Sequence, residues 1–301
     1  MPSSFYASAA ILGIGIAIES NVSEALEAAL DIFPDAAAPG TVAAPSLSLI
    51  LDADHDTHSP TSEHRICGKQ LCLADNGIRL LADGERGHAN CSFRIDVIRT
   101  ELFRETVRTA ALFLATHQGR IPVHASAVMI GDCAVVLAGR SGAGKSTLAL
   151  AGARAGLPVL AEDTVFVQRD PAFRVWGLAD HIHVFEKDAP PGSDARTRWR
   201  SGRLKLALPI ARTRQSSDKA ALCAIVRGDH IAFEPLPPGN AVQMLCREPE
   251  TGYDLFADHM EEALRAVAAG GCWQLTLSHE PDDAIAALLE ALGTGARRQF
   301  G

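Results

Sequence analysis

An α/β fold is predicted for the greater part of this chain, and three observations predict it. A continuous apolar run, Ala134 to Ala138, leads directly into the glycine-rich segment Gly139 to Gly144, which opens the helix-forming run Thr147 to Ala155. A second apolar stretch, Val159 to Ala161, follows the breaker Gly156-Leu-Pro158. Further strand-like segments then give way to two terminal helical patterns, Leu255 to Ala268 and Asp282 to Leu292. Strand, loop, helix and strand in that order define an α/β unit, and the later elements extend it.

The chain has 301 residues, enough for two modest domains or for one core domain with an N-terminal addition. Hydrophobic residues are 47% and charged residues 21% of it, a balance that excludes a disordered chain and predicts a soluble one. The net charge of −8 is unevenly placed, since no Lys or Arg precedes Arg65. So acidic an N-terminal part repels phosphate backbones, and nucleic acid is not an expected partner. The apolar stretch Ala9 to Ile18 lacks a basic flank and falls far below the ~20 residues that span a bilayer, so no membrane is expected and the stretch reads as a buried strand. Seven cysteines, without CxxC pairs or zinc-like spacing, read as reduced thiols in a cytoplasmic protein.

Residues 1–100 are expected to form a small α+β module, and residues 101–301 the core domain. Within the module, Asn21-Val-Ser-Glu24 has the capping-box pattern, and Ala25, Leu26, Ala29, Leu30 and Phe33 follow at helical spacing. Loops are expected at Asp35 to Pro45 and Asp52 to His64, flanking a strand at Ser46 to Leu51. Arg65 to Leu73 and Ile78 to Leu81 read as a hairpin turned at Asp75-Asn76-Gly77, and Ser92 to Ile98 as a further strand. Glu101 to His117 reads as an amphipathic helix burying Leu102, Val107, Ala110, Leu112, Leu114 and Ala115.

Gly139 to Ser146 reads Gly-Arg-Ser-Gly-Ala-Gly-Lys-Ser, the spacing of a phosphate-binding loop, and it stands between a strand and a helix as such a loop must. Glycines at 139, 142 and 144 permit torsions that turn successive N–H groups inward, and the following helix N-terminus adds positive potential. Gly139, Ser141, Gly142, Ala143, Gly144, Lys145, Ser146 and Thr147 are therefore the expected nucleotide ligands. Lys145 supplies a point charge for the β/γ-phosphates, and the Ser146 hydroxyl suits Mg²⁺. Glu162-Asp163 follows the strand Val159 to Ala161, expected to be the parallel neighbour of the loop's strand, where one carboxylate can serve the metal and the other an attacking hydroxyl. His124 falls on the strand expected to adjoin the loop's strand.

Together, Val123-His-Ala-Ser-Ala127, Gly139-Arg-Ser-Gly-Ala-Gly-Lys-Ser-Thr147 and Gly156-Leu-Pro-Val-Leu-Ala-Glu-Asp163 resemble the HPr kinase/phosphorylase family and its kinase-only relatives, over roughly Val123 to Leu292. The resemblance implies a compact P-loop kinase core of the HPr kinase/phosphoenolpyruvate carboxykinase type, using ATP and Mg²⁺ to phosphorylate a serine of a peptide or protein. It implies His124 near the reaction centre, Lys145 and Ser146 on nucleotide and metal, Glu162 as general base and Asp163 as the metal-side partner. Glu162 stands where the family has Asp, so the two roles are also open to exchange. The family's Glu-x-Arg-Gly signature is missing; the stretch reads Val175-Trp-Gly-Leu-Ala-Asp-His-Ile-His183. Its absence removes the warrant for a phosphorylase half-reaction. The trimmed pattern is similar to that of kinases that phosphorylate the C-terminal serine of lasso-peptide precursors. A carrier-protein kinase, a small-molecule kinase and a regulatory nucleotide-binding module are the alternatives, and homo-oligomers are common in the family.

The basic stretch Arg196 to Lys205 reads as a mobile loop ahead of the strand Leu204 to Ile210. Arg203 and Lys205 are its candidates for contacting the substrate or the transferring phosphoryl group. His181 and His183 alternate on one strand face, with no third metal ligand evident.

Overall fold

The computed structural model describes the chain apart from residues 1–3, 34, 37–46, 54–61, 187–188, 190–195, 201–202, 212–214, 248–251, 279 and 300–301. It divides into two compact units, Met1–Arg120 and Ile121–Gly301.

The first unit contains β1 (Phe5–Ile11), β2 (Ile14–Ser20), α1 (Ser23–Leu30), β3 (Asp35–Ala36), β4 (Leu47–Ala53), β5 (Glu63–Cys67), β6 (Gln70–Asp75), β7 (Ile78–Asp83), β8 (His88–Phe93) and α2 (Glu101–His117). Its strands form one sheet in the order β3-β1-β2-β4-β8-β7-β6-β5. Three expectations are corrected here. Ala9 to Ile18 is two strands, because Leu12 and Gly13 take φ of 50° and 73°, the left-handed pair of a tight hairpin turn. Arg65 to Leu73 is likewise broken at Gly68, whose φ is 55°. The strand expected at Ser92 to Ile98 stops at Phe93 and continues as a 3₁₀ turn, Ile95–Val97.

The capping box does not form either. Val22 precedes α1 without a side-chain cap, and Asn21 instead bonds Asp52 and the backbone of Ala53. Of the expected loops Asp35 to Pro45 and Asp52 to His64, most positions lie outside the described residues, and the rest, Ser62 apart, fall in β3, β4 and β5.

Helix α2 spans the expected residues, with Thr100 accepting from the Phe103 amide at its start. Its buried face differs, since Phe103 and Phe113 go inside while Leu102 and Leu112 are only half-buried. Phe103 meets Phe93 of β8 edge-on at 5.3 Å, which seats the helix on the first unit's sheet. The division of the chain therefore falls at Arg120, after the helix, where the sequence reading placed it at residue 100.

The second unit contains β9 (Ile121–Ile130), β10 (Cys133–Ala138), α3 (Lys145–Arg154), β11 (Val159–Ala161), β12 (Thr164–Gln168), β13 (Arg174–Trp176), β14 (His181–Val184), β15 (Arg196–Arg200), β16 (Arg203–Pro209), β17 (Ser216–Ser217), β18 (Lys219–Arg227), β19 (Ala232–Pro235), α4 (Pro238–Cys246), α5 (Ala257–Ala268), β20 (Cys272–Leu277) and α6 (Pro281–Gln299). The main sheet runs β17-β13-β12-β9-β10-β18-β20-β19, with β11 also on β9. β10, β18 and β20 are parallel neighbours, and β9 is antiparallel to β10.

All six residues of β10 are buried because the sheet is covered on both faces. Ala134, Val136 and Ala138 pack with residues of α4 and α5, and Val135 and Leu137 with residues of α3 and α6. Two further expectations change. β11 is not the parallel neighbour of β10; it pairs antiparallel with β9, and β18 holds the parallel position. The basic stretch is no loop: β15 and β16 form an antiparallel ladder that β14 extends into a separate three-stranded sheet. Among the described residues no helix is long and apolar enough to cross a membrane.

Candidate functional site

The glycine loop leaves the C-terminal end of β10 and enters α3, as its sequence requires. Gly144 has φ of 111°, and a Cβ there would stand 2.6 Å from Leu277 Cδ2, so both torsion and space demand glycine. Gly139 is constrained by space alone, a Cβ falling 2.9 Å from the Ile225 carbonyl of the neighbouring β18. Lys145, only 7% exposed, donates from Nζ to the carbonyls of Gly139 and Arg140 at 2.9 and 3.2 Å. Its ammonium thus lies across the loop's opening. Ser146 and Thr147 occupy the first turn of α3 beside it.

Glu162 and Asp163 are positioned by pairing with β9, in a register that shifts between Val159 and Ala161 and then holds through both acids. β11 and β12 follow one another along β9, with Ala161 opposite Ala127 and Thr164 opposite His124, and the two acids sit at the junction. The Asp163 carbonyl accepts from the Ala125 amide at 3.2 Å, and the Glu162 carbonyl from the Ser126 hydroxyl. With the backbone pinned, the side chains diverge. Glu162 accepts from Ser146 Oγ at 2.8 Å through one carboxylate oxygen, and its other oxygen lies 3.2 Å from His183 Nδ1. Its side chain is 10% exposed. Asp163 is 56% exposed and lies 3.3 Å from His124 Nε2.

Three residues that sequence reasoning did not place here complete the arrangement. Tyr253 stacks on the His124 ring, centroids 5.1 Å apart, and its hydroxyl donates to the Asp163 carbonyl at 3.4 Å and bonds the Thr164 hydroxyl. His183 is buried, with Nδ1 toward Glu162 and Nε2 without a hydrogen-bond partner among the described residues. Its alternation with His181 was visible in the sequence, but a two-histidine strand pattern does not disclose a carboxylate partner 21 positions away. Arg227 ends β18 with its guanidinium 3.0 Å from where a Gly144 Cβ would stand. Only the parallel pairing of β18 with β10 brings that cation to the loop.

Of the basic candidates, Lys205 holds its ammonium 5.6 Å from the centroid of the Phe185 ring, a cation–π contact rather than a contact with the loop. The side chain of Arg203 lies outside the described residues. A cavity of about 730 Å³ opens between the first half of the loop, His124 and Tyr253 on one side and α4 and α5 on the other, where Met244, Leu245, Met260 and Leu264 line it.

No protein-family model and no curated protein matches this chain. Among solved structures it is similar to the HPr(Ser) kinase/phosphatase from Coxiella burnetii. The match has 11% identity and a TM-score of 0.32, covering 58% of this chain and 98% of that one. At that level of likeness the functional reading falls to the site's own geometry.

Proposed function

We propose that this chain is an ATP- and Mg²⁺-dependent serine kinase that transfers the γ-phosphate to a serine hydroxyl of a peptide or protein. The observation that carries the reading is the division of labour between two adjacent acids beside one glycine loop, Glu162 on Ser146 and Asp163 on His124. Phosphoryl transfer needs a charge-neutralising cradle on one side of the phosphate and a positioned hydroxyl on the other, with little covalent help from the protein.

The donor set fits Mg²⁺. A serine hydroxyl and a carboxylate are hard oxygen donors, and among the described residues there is no cluster of three or more His, Cys, Asp or Glu to cage a metal. Mg²⁺ in such sites completes its shell with phosphate oxygens and water, and neutralises charge on them. Ser146 and Glu162 are the residues that would hold it. The roles implied by the family resemblance are thus exchanged in this proposal: Glu162 serves the metal, and Asp163, exposed and paired with His124, accepts the serine proton. His124 orients Asp163 and is itself held by the Tyr253 ring. Lys145 and the loop amides bind the phosphate oxygens, and Arg227 is the adjacent cation available to them.

The sequence pattern supports a C-terminal serine of a lasso-peptide precursor as the first acceptor to try. Incubation with γ-labelled ATP, such a precursor and its Ser→Ala counterpart tests this. Label is expected only in the serine peptide, and Lys145→Ala is expected to lower transfer by about 10²-fold or more while the protein stays folded. Undiminished transfer by that variant would refute the kinase site.

A further inference from the structure

The cavity beside the loop has one wall that phosphate binding does not explain. Arg140 and Arg227 join the glycine loop on its phosphate side, whereas α4 and α5 turn Met244, Leu245, Met260 and Leu264 toward it, and its lining includes no carboxylate. Met260 and Leu264 belong to the core cluster beneath the sheet, and Leu245 packs against that cluster. Met244 differs: it is half-buried and is a member of neither core cluster. A partly exposed methionine on a pocket wall is an apolar surface that adapts to what enters.

The position of the cavity narrows what that is. It is lined by Gly139 to Ala143 and by His124, so it runs from the phosphate cradle to the residue beside Asp163. His124 is the residue 3.3 Å from Asp163, and Tyr253, stacked on His124, closes the same wall. The cavity therefore adjoins the groups that handle the acceptor's proton. A chain that presents a hydroxyl to Asp163 beside His124 can rest a neighbouring side chain on this apolar wall.

Resting on the kinase reading above, we propose that the cavity binds an apolar side chain of the acceptor, adjacent in its sequence to the serine that is phosphorylated, so that this protein selects serines flanked by leucine-like residues. Burial of such a side chain holds the hydroxyl at Asp163 and raises the effective concentration of the reacting group.

The test uses the full chain, γ-labelled ATP and short synthetic peptides, each with a single serine and with leucine, glycine, aspartate or lysine beside it. Leucine peptides are expected to exceed glycine peptides in kcat/KM by about tenfold or more, the scale for burying one apolar side chain. Met244→Glu is expected to erase or invert that order and to leave ATP affinity, measured by calorimetry, unchanged, while Met244→Leu keeps the wild-type order. Transfer without preference among neighbours overturns the inference and leaves the kinase reading intact. An unchanged peptide order with weakened ATP binding in Met244→Glu also overturns it, assigning the cavity to the nucleoside. Absence of transfer to every peptide, the lasso precursor included, removes the kinase reading and the inference together.

Discussion

At the scale of single residues, the adjacent acids show how one bond of backbone separates two chemistries. Glu162, its side chain 10% exposed, lies against a hydroxyl and an imidazole, whereas Asp163, its neighbour, is more than half exposed and lies beside His124. Their variants should therefore fail differently. Asp163→Asn is expected to lower the transfer rate by about 10²- to 10⁴-fold and to leave Mg²⁺-dependent binding of a fluorescent ATP analogue in place. Glu162→Gln is expected to raise the Mg²⁺ concentration needed for that binding by about tenfold or more. The reverse pattern would restore Glu162 as the base. The residue types and their place after a strand were legible in the sequence; the direction each side chain takes was not, because it depends on how β11 and β12 pair with the distant β9.

At the scale of elements, the loop is a strand end and a helix start joined by glycines that differ in what a side chain would cost. Gly144→Ala puts a methyl into Leu277 of β20 and an L-residue at φ of 111°. A cost of about 1–3 kcal/mol is expected, read as a lower denaturation midpoint, together with weakened nucleotide binding. Gly142→Ala meets no atom within 4 Å at φ of 80°, so its penalty is torsional and smaller. Equal losses in the two variants would show that packing against β20 does not constrain the loop. β20 itself escaped the sequence reading. Trp273-Gln274-Leu275-Thr276-Leu277 alternates apolar and polar residues as a strand does, so the signal was present in the sequence although its pairing with β18 in the sheet's parallel segment was not.

At the scale of the whole molecule, the seven cysteines are all free, and their environments set a pH dependence. Burial pushes the thiols of Cys91 and Cys223 up to about 12, and burial with the nearby Asp132 charge pushes Cys133 to about 11, from 9.0. The folded state thus holds protons that the unfolded chain releases, so stability is full below pH 9 and falls as pH rises from 9 toward 12. Denaturant midpoints are expected to decline across that window, and a thiol reagent at pH 8 to label exposed Cys67 well before Cys91 or Cys223. Rapid labelling of the buried pair in the native protein would contradict their packing. One of these thiols lies in the first unit's sheet and the other in the second unit's sheet, so the experiment reports on both units.

The sequence by itself determined the glycine loop with its flanking strand and helix, the span of α2, and the acids and histidine that carry the proposed chemistry. Each of these is written in contiguous residues, as backbone torsion preference, apolar periodicity or chemical type. Tertiary structure alone decided which acid faces Ser146, that His183, Tyr253 and Arg227 join the site, and that the basic stretch folds as a ladder. Those outcomes depend on which strands pair and in what register, a property of hydrogen bonding and packing between segments far apart in the chain, to which no local pattern is sensitive.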